Sequence, residues 1–139
     1  MTKEEELAKQ MALIEQYKEQ LSQLETQFSY VQAAINEYSK ARMTVEQLSK
    51  TEDGSDILLP IGGGTFIDAN VKKTSNVLFD AGAGIVLEKS AEDVVKKIDE
   101  RMESLQQAQE RISSTAQQIQ DEATEASIKA QKLMSETKR

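Results

Sequence analysis

The sequence predicts a mainly α-helical fold with a small β hub: a long antiparallel α-helical coiled coil whose two helices are joined by two β-hairpins. Three observations support this prediction. Apolar residues recur every seven positions in the first third of the chain and again in the last third, as they do in coiled coils. The two repeats have similar lengths. Between them, short apolar runs alternate with glycine-rich turns, which is typical of β-strands.

The composition suits long, solvated helices better than a globular core. Of 139 residues, 29% are charged and only 4% are aromatic, which leaves few large side chains for a compact centre. The net charge of −7 argues against nucleic acid as the main ligand, because phosphate binding needs clustered Lys and Arg.

The residue types that are missing exclude several kinds of chemistry. The chain has neither cysteine nor histidine, which excludes disulfides, cysteine nucleophiles and the usual general base. We therefore expect no enzyme activity, no metal site and no cofactor. The sequence shows no signal-peptide-like stretch and no apolar run long enough for a membrane, so a cytoplasmic protein is expected.

The first helix is predicted over residues 1–53, where neither proline nor glycine interrupts the pattern. Polar residues fill the intervening positions, as on a solvated helix face. Two apolar series, three residues apart, form the predicted seam: Leu7, Ile14, Leu21, Phe28 and Ile35, with Tyr17, Leu24, Val31, Tyr38 and Val45.

The second helix is predicted over residues 90–139. Ser90, followed by Glu92 and Asp93, supplies a cap and an acidic first turn. Gln109 is a polar seam residue that can fix the register at some cost in stability. The two seam series are Ala91, Ile98, Leu105, Ile112, Ile119, Ala126 and Leu133, with Val95, Met102, Gln109, Ala116, Ala123 and Ala130.

A chain that reverses near residue 70 would align the two seams as an antiparallel hairpin. Residues whose numbers sum to 140 then face one another. The expected pairs are Leu7 with Leu133, Leu21 with Ile119, and Ile35 with Leu105. The alternative is that each helix pairs only with other chains.

Residues 54–89 are predicted to form two consecutive β-hairpins, with glycine-rich turns at 62–64 and 82–84. Four such strands cannot bury both faces within one chain, and unpaired strand edges invite pairing with other chains. We therefore expect an oligomerisation hub. Its predicted contact residues are Ile57, Leu59, Ile61, Phe66, Ile67, Val71, Val77, Phe79, Ile85 and Leu87.

Two other interpretations of the central segment are weaker. The stretch from Gly62 to Thr65 lacks the Gly-Lys-Ser/Thr ending of a phosphate-binding loop, and glycines between two strands usually serve tight turns. The central aspartates lack the spacing of a calcium loop, so we expect them to be surface carboxylates: Asp53, Asp56, Asp68 and Asp80.

Apolar residues near both termini depart from the seam, and we expect them to be partly exposed: Met11, Leu13, Ile128 and Met134. Methionine and leucine adapt to varied apolar partners. Alternatively, these residues are ordinary surface hydrophobes or belong to frayed ends. Alanines replace larger seam residues nearby, which would leave the helices either closer together or looser: Ala116, Ala123, Ala126 and Ala130.

Two stretches of the central segment, 58–66 and 77–89, resemble the hairpins of the alpha class of prefoldin subunits. The sequence from Ala91 to Leu105 resembles the start of their second helix. Beta-class subunits carry one hairpin, so two hairpins favour the alpha class. The Gly62-Gly63-Gly64 turn departs from the Gly-Ala-Gly expected there, a change that a flexible turn tolerates.

The resemblance implies a holdase chaperone of the archaeal type. Two alpha and four beta prefoldin subunits would assemble through their hairpins, and the coiled-coil tips would hold unfolded polypeptides without ATP and deliver them to a group II chaperonin. The alternative is a structural, filament-forming prefoldin-like protein without client transfer. By their position, the implied client-binding residues are Leu7, Met11, Leu13, Ile14, Ile128, Leu133 and Met134.

Overall fold

The computed structural model describes residues 2–137 and has the predicted order of elements. The elements are α1 (Lys3–Ser49), β1 (Asp56–Gly62), β2 (Thr65–Asn70), β3 (Asn76–Gly82), β4 (Ile85–Ser90) and α2 (Ala91–Thr137). The predicted fold class, two long helices joined by two β-hairpins, is confirmed. Met1, Lys138 and Arg139, which the predicted helical segments included, lie outside the described residues.

The chain divides into two compact units. The terminal unit pairs the part of α1 up to Ala34 with the part of α2 from Leu105 onward. The central unit, Ile35–Ser104, holds the end of α1, both hairpins and the start of α2.

Local hydrogen bonds determine where α1 begins and ends. The side chain of Thr2 accepts a 3.2 Å bond from the amide of Glu5, which caps the first turn. The hydroxyls of Ser49 and Thr51 donate to carbonyls three residues earlier and so satisfy the last turn. The helix therefore ends at Ser49, and the predicted boundary at residue 53 was four residues too late.

The start of α2 agrees with the prediction and has no connecting loop. Ser90 is the last residue of β4, and its hydroxyl accepts a 3.2 Å bond from the amide of Asp93. The amide of Ala91 donates to the carbonyl of Ser75 at 2.7 Å. The strand therefore passes directly into the helix.

Contacts across the seam confirm the predicted antiparallel register within each unit. In the terminal unit, Nζ of Lys3 lies 3.3 Å from Glu136, and the residue numbers sum to 139. In the central unit, Nε of Arg42 lies 2.6 Å from Asp99, and the numbers sum to 141. Every residue of the two predicted α2 seam series is buried or half-buried. Phe28 is the exception in α1, since its side chain is exposed although its heptad position predicts a seam residue.

Each hairpin is a two-stranded antiparallel sheet, and the two share the same pattern of pairing. One extra residue, Ile61 in β1 and Ala81 in β3, forms a bulge just before the turn. Both central turn residues have positive φ, Gly63 and Gly64 in the first hairpin and Ala83 and Gly84 in the second. This combination is the signature of the type I′ turn.

The core of the central unit joins the second hairpin to both helices. It contains Val45 of α1 with Ala91, Val94 and Ile98 of α2, and Val94 is the most completely buried of them. Val77 and Phe79 of β3 pack against it, along with Tyr38, Val95 and Met102. No residue of β1 or β2 belongs to this cluster in the described part of the chain, so the two hairpins are anchored differently.

Candidate functional site

The tip of the coiled coil is the best candidate for a binding site. We define the tip as residues 2–14 of α1 and 128–137 of α2. The ion pair between Lys3 and Glu136 joins the two helices here. Ala130 within the tip and Ala126 next to it are only 7% and 5% exposed. The other two alanines of the series, Ala116 and Ala123, are half-buried. Burial of the alanine positions is therefore most complete near the tip.

Three of the seven predicted tip residues present much of their surface to solvent: Met11 at 57%, Ile128 at 61% and Met134 at 41%. Leu13, the fourth residue predicted to lie off the seam, is half-buried beside it. The remaining three are half-buried seam residues, Leu7, Ile14 and Leu133. The predicted exposure is therefore strongest at the two methionines and the isoleucine.

Two grooves follow one flank of this end of the coiled coil. The first, which we call the terminal groove, has a volume of about 400 Å³ and is lined by Glu6, Lys9, Gln10, Lys129, Lys132, Leu133 and Glu136. An adjoining groove of about 180 Å³ shares Lys9, Gln10 and Lys129 with it. The rest of its lining is Leu13, Tyr17, Glu122, Glu125 and Ala126. The three exposed tip residues line neither groove. The tip therefore offers two different surfaces. One consists of the exposed apolar side chains, and the other is the terminal groove, where lysines lie beside Leu133.

The strands of the central unit form a second candidate surface. Of the predicted hub residues, six are exposed: Leu59, Ile61, Phe66, Ile67, Ile85 and Leu87. Ile57 and Val71 are half-buried. Three further exposed residues were missed by the sequence analysis: Leu58, Leu78 and Val86. Each pairs with a carboxylate across the strands, Asp68, Glu88 and Asp80 respectively, and Leu58 shares its face of the first hairpin with the predicted Phe66.

Two predicted hub residues have a different environment, because Val77 and Phe79 pack against the core of their own chain. Arg101 of α2 reinforces this docking. Its guanidinium carbon lies 4.5 Å from the centre of the Phe79 ring, and its Nη2 donates to the carbonyl of Asp80 at 3.1 Å. Its Nη1 also donates to the hydroxyl of Tyr38 at 3.4 Å. The second hairpin is thus held by both helices.

A polar contact ties the connection between the hairpins to the segment after α1. Thr74 is buried, and its amide donates to Oδ1 of Asp53 at 2.8 Å. Its hydroxyl donates to the carbonyl of Thr51, also at 2.8 Å. The Thr74 amide, and then its hydroxyl, hold the pKa of the Asp53 carboxyl below its usual value. This aspartate, predicted to be a simple surface carboxylate, also has a structural role.

Residues 2–137 contain no group of three or more acidic side chains arranged to hold a metal ion. Within the same residues, neither helix has an apolar stretch suitable for crossing a membrane.

Comparison with known proteins identifies the family. The sequence model of the prefoldin subunit family matches residues 17–136. The prefoldin alpha subunit of Nitrosopumilus maritimus is 34% identical over 119 residues, which cover 86% of this chain and 77% of that protein. The alpha subunit of Archaeoglobus fulgidus is 26% identical over 123 residues, 88% of this chain and 90% of that protein.

A solved structure shows the same fold. Filamentous PFD from Methanocaldococcus jannaschii, determined by cryo-electron microscopy, superposes with a TM-score of 0.72 at 18% identity, over 82% of this chain and 94% of that one. The fold and the sequence matches agree. The chain therefore belongs to the prefoldin family, as an oligomer-forming subunit with the chaperone-type role of that family.

Proposed function

We propose that this chain is an alpha-type subunit of an ATP-independent holdase that captures unfolded polypeptides at its coiled-coil tips and transfers them to a group II chaperonin in the cytoplasm. The observation that carries the proposal is the exposure of Met11, Ile128 and Met134 where the coiled coil ends. An exposed apolar surface is a common feature of protein-binding sites, and these three are the large exposed apolar side chains of the tip. Leu7, Leu13, Ile14 and Leu133 supply the half-buried apolar surface beside them.

The strength of such a contact fits a protein that must also release its client. Complete burial of one side chain of this size contributes about 1.5–3 kcal/mol, and the three here are already partly covered. A single tip therefore binds weakly, and several tips on one assembly bind the same client more tightly through their effective concentration. Each tip can let go independently, so transfer to a second chaperone needs no ATP.

The central unit supplies the assembly surface in this proposal. Segment 54–89 acts as the hub, and segments 1–53 and 90–139 are the arms of one domain. Exposed strand residues such as Leu78, at 72%, leave a large apolar surface to be covered by neighbouring subunits. We assign that role to prefoldin beta subunits, four for every two copies of this chain.

The test replaces the exposed tip residues without shortening either helix. A Met11→Gln/Ile128→Gln/Met134→Gln variant, co-assembled with a beta-type subunit, should suppress aggregation of a chemically unfolded client less well than the unmodified assembly. Met43→Gln is the matched control, because Met43 is also 57% exposed on α1 but lies in the central unit. Deleting residues 1–12 and 128–139 gives the limiting case. Full suppression by the truncated assembly would refute the tip as the client site.

A filament-forming structural protein is the second candidate, favoured by the exposed strands and by the filamentous assembly of the Methanocaldococcus jannaschii protein. Native mass measurement separates the candidates after co-expression with a beta-type subunit. A defined mixed hexamer supports the chaperone, whereas long polymers of this chain alone support the filament.

A further inference from the structure

The terminal groove carries a local charge that differs from that of the whole chain. Its lining contains three lysines and two glutamates, although the chain as a whole has 24 acidic and 17 basic residues. Leu133 contributes apolar surface to the same groove, whereas the adjoining groove, which holds Leu13, is also lined by Glu122 and Glu125. A segment lying here would therefore meet apolar side chains and ammonium groups together.

After the ion pairs within the protein are taken into account, most of the unpaired charge in the terminal groove belongs to its lysines. Glu136 is paired with Lys3 at 3.3 Å, and Lys129 lies 3.7 Å from Glu125. Lys9 and Lys132 form no ion pair with any residue in the described part of the chain, and both are exposed. Glu6 is the only groove carboxylate left without an ion-pair partner among the same residues. The groove thus offers two available ammonium groups against one carboxylate.

We propose that the terminal groove binds unfolded segments in which an apolar side chain is flanked by aspartate or glutamate. The apolar side chain lies against Leu133, while Lys9 and Lys132, one from each helix, pair with the flanking carboxylates. This inference rests on the proposed client-binding function of the tip and specifies the class of client.

The size of the groove agrees with this occupant. Its volume of about 400 Å³ lies near the lower end of the roughly 300–1,000 Å³ of small-ligand pockets, so it accommodates side chains rather than a folded surface. Two exposed ion pairs correspond to a difference in affinity of roughly twofold to thirtyfold. Met11 and Met134, which do not line the groove, remain available to segments of any charge.

The experiment compares three unfolded peptides that share an apolar centre and differ only in their flanking residues, which are aspartate, serine or lysine. Binding to the full chain, co-assembled with a beta-type subunit, is measured by fluorescence anisotropy. The aspartate-flanked peptide should bind roughly twofold to thirtyfold more tightly than the lysine-flanked one at low ionic strength. The difference should shrink in about 1 M salt, where screening extends over only about 3 Å.

Two variants that each lose two positive charges test whether the preference for aspartate-flanked peptides depends on the lysines of the terminal groove. In Lys9→Gln/Lys132→Gln, the preference for aspartate flanks should disappear. In Lys18→Gln/Lys96→Gln, where the lysines lie outside both grooves, it should persist. All four lysines are exposed, so both variants should melt at the temperature of the unmodified protein. Equal binding of the three peptides, or an equal preference in the two variants, would overturn the proposal.

The serine-flanked peptide separates this inference from the function on which it rests. If this peptide binds to the intact assembly and its binding is lost when the tip is truncated, the proposed client binding at the tip is supported, whatever the result with the charged peptides. If it binds equally well to the truncated assembly, the tip is not the client site, and the inference fails together with the proposed function.

Discussion

Arg101 holds Phe79 from α2, with the guanidinium carbon 4.5 Å from the centre of the ring, while the same side chain donates to the carbonyl of Asp80. Through its bond to the hydroxyl of Tyr38 it also reaches α1. One side chain therefore connects β3 to both helices. The first hairpin has no corresponding contact within the described residues.

Replacing Arg101 with glutamine should loosen the second hairpin. The cation–π contact contributes about 0.5–2 kcal/mol depending on its exposure, so we expect the free energy of unfolding to fall by about 1 kcal/mol. Chemical denaturation measures this loss, and hydrogen exchange of the β3 amides should become faster. Arg111→Gln is the control, because Arg111 is an exposed α2 residue outside the hairpin contact. If the two variants are equally stable, Arg101 does not anchor the hairpin.

The two hairpin turns allow a reciprocal substitution. Ala83 has φ of +53° and occupies the position that Gly63, with φ of +59°, occupies in the first hairpin. An alanine in the left-handed conformation destabilises the folded state by roughly 1–2 kcal/mol. Replacing it with glycine removes this strain, but glycine loses more conformational entropy on folding, which offsets part of the gain. Ala83→Gly should therefore raise the free energy of unfolding by about 0.5–1 kcal/mol, and Gly63→Ala should lower it by a similar amount.

Thermal unfolding in the assembled protein measures both substitutions. Ala81→Gly is the control, since Ala81 does not have positive φ, and there the added freedom of the unfolded chain should lower stability slightly. A stabilising Ala81→Gly, or a destabilising Ala83→Gly, would contradict the assignment of strain to the turn.

The contact between Asp53 and Thr74 should make stability depend on pH in the acidic range. The pKa of Asp53 is lowered in the folded protein by the Thr74 amide and hydroxyl, so ionised Asp53 stabilises the fold. That contribution is present above the unfolded pKa, about 3.9. It is lost as the pH falls through the lower folded pKa.

Asp53→Asn should therefore lower the melting temperature at neutral pH, and the difference from the unmodified protein should narrow as the pH drops below about 4. Asp68→Asn, at an exposed carboxylate of β2, serves as the control and should have little effect. A difference between Asp53→Asn and the unmodified protein that does not change with pH would rule out the charged contact as its cause.

Much of the fold follows from the period of the sequence alone. Seven-residue spacing predicts a seam, and equal repeats around a short centre favour an antiparallel hairpin. The pairing of Lys3 with Glu136 is close to the predicted register. The polar seam residue Gln109 was also predicted to influence register, and it donates a 2.8 Å bond to Gln32 across the terminal unit. Ser90 was predicted as a cap because residue type and acidic first turn agree there.

Other features depend on contacts that periodicity does not encode. The end of α1 is determined by hydroxyls at Ser49 and Thr51 that satisfy nearby carbonyls. Phe28 has a seam position but an exposed side chain. The docking of Phe79 depends on Arg101, which lies 22 positions later in the sequence and on another element.

The candidate site was predicted in part. Departures from the heptad were enough to predict the exposure of Met11, Ile128 and Met134. The grooves were not predicted, because the lysine at position 9 and the lysine at 132 become neighbours of one cavity only when both helices are in place. On the second face of the hairpins Phe66 was predicted, but Leu58, Leu78 and Val86 were not, because the carboxylates opposite these three residues make the face resemble a solvated surface.

The direct passage from β4 into α2 at Ser90 has a mechanical consequence. A flexible linker would allow the strand and the helix to rotate independently. Here Ser90 both ends β4 and caps α2, so the strand and the first turns of the helix rotate together. Any twist imposed on β4 by a neighbouring subunit is therefore transmitted to the base of α2. The first hairpin is instead reached through residues 50–55, which the bonds from Thr74 to Thr51 and Asp53 tie to the connection between the hairpins.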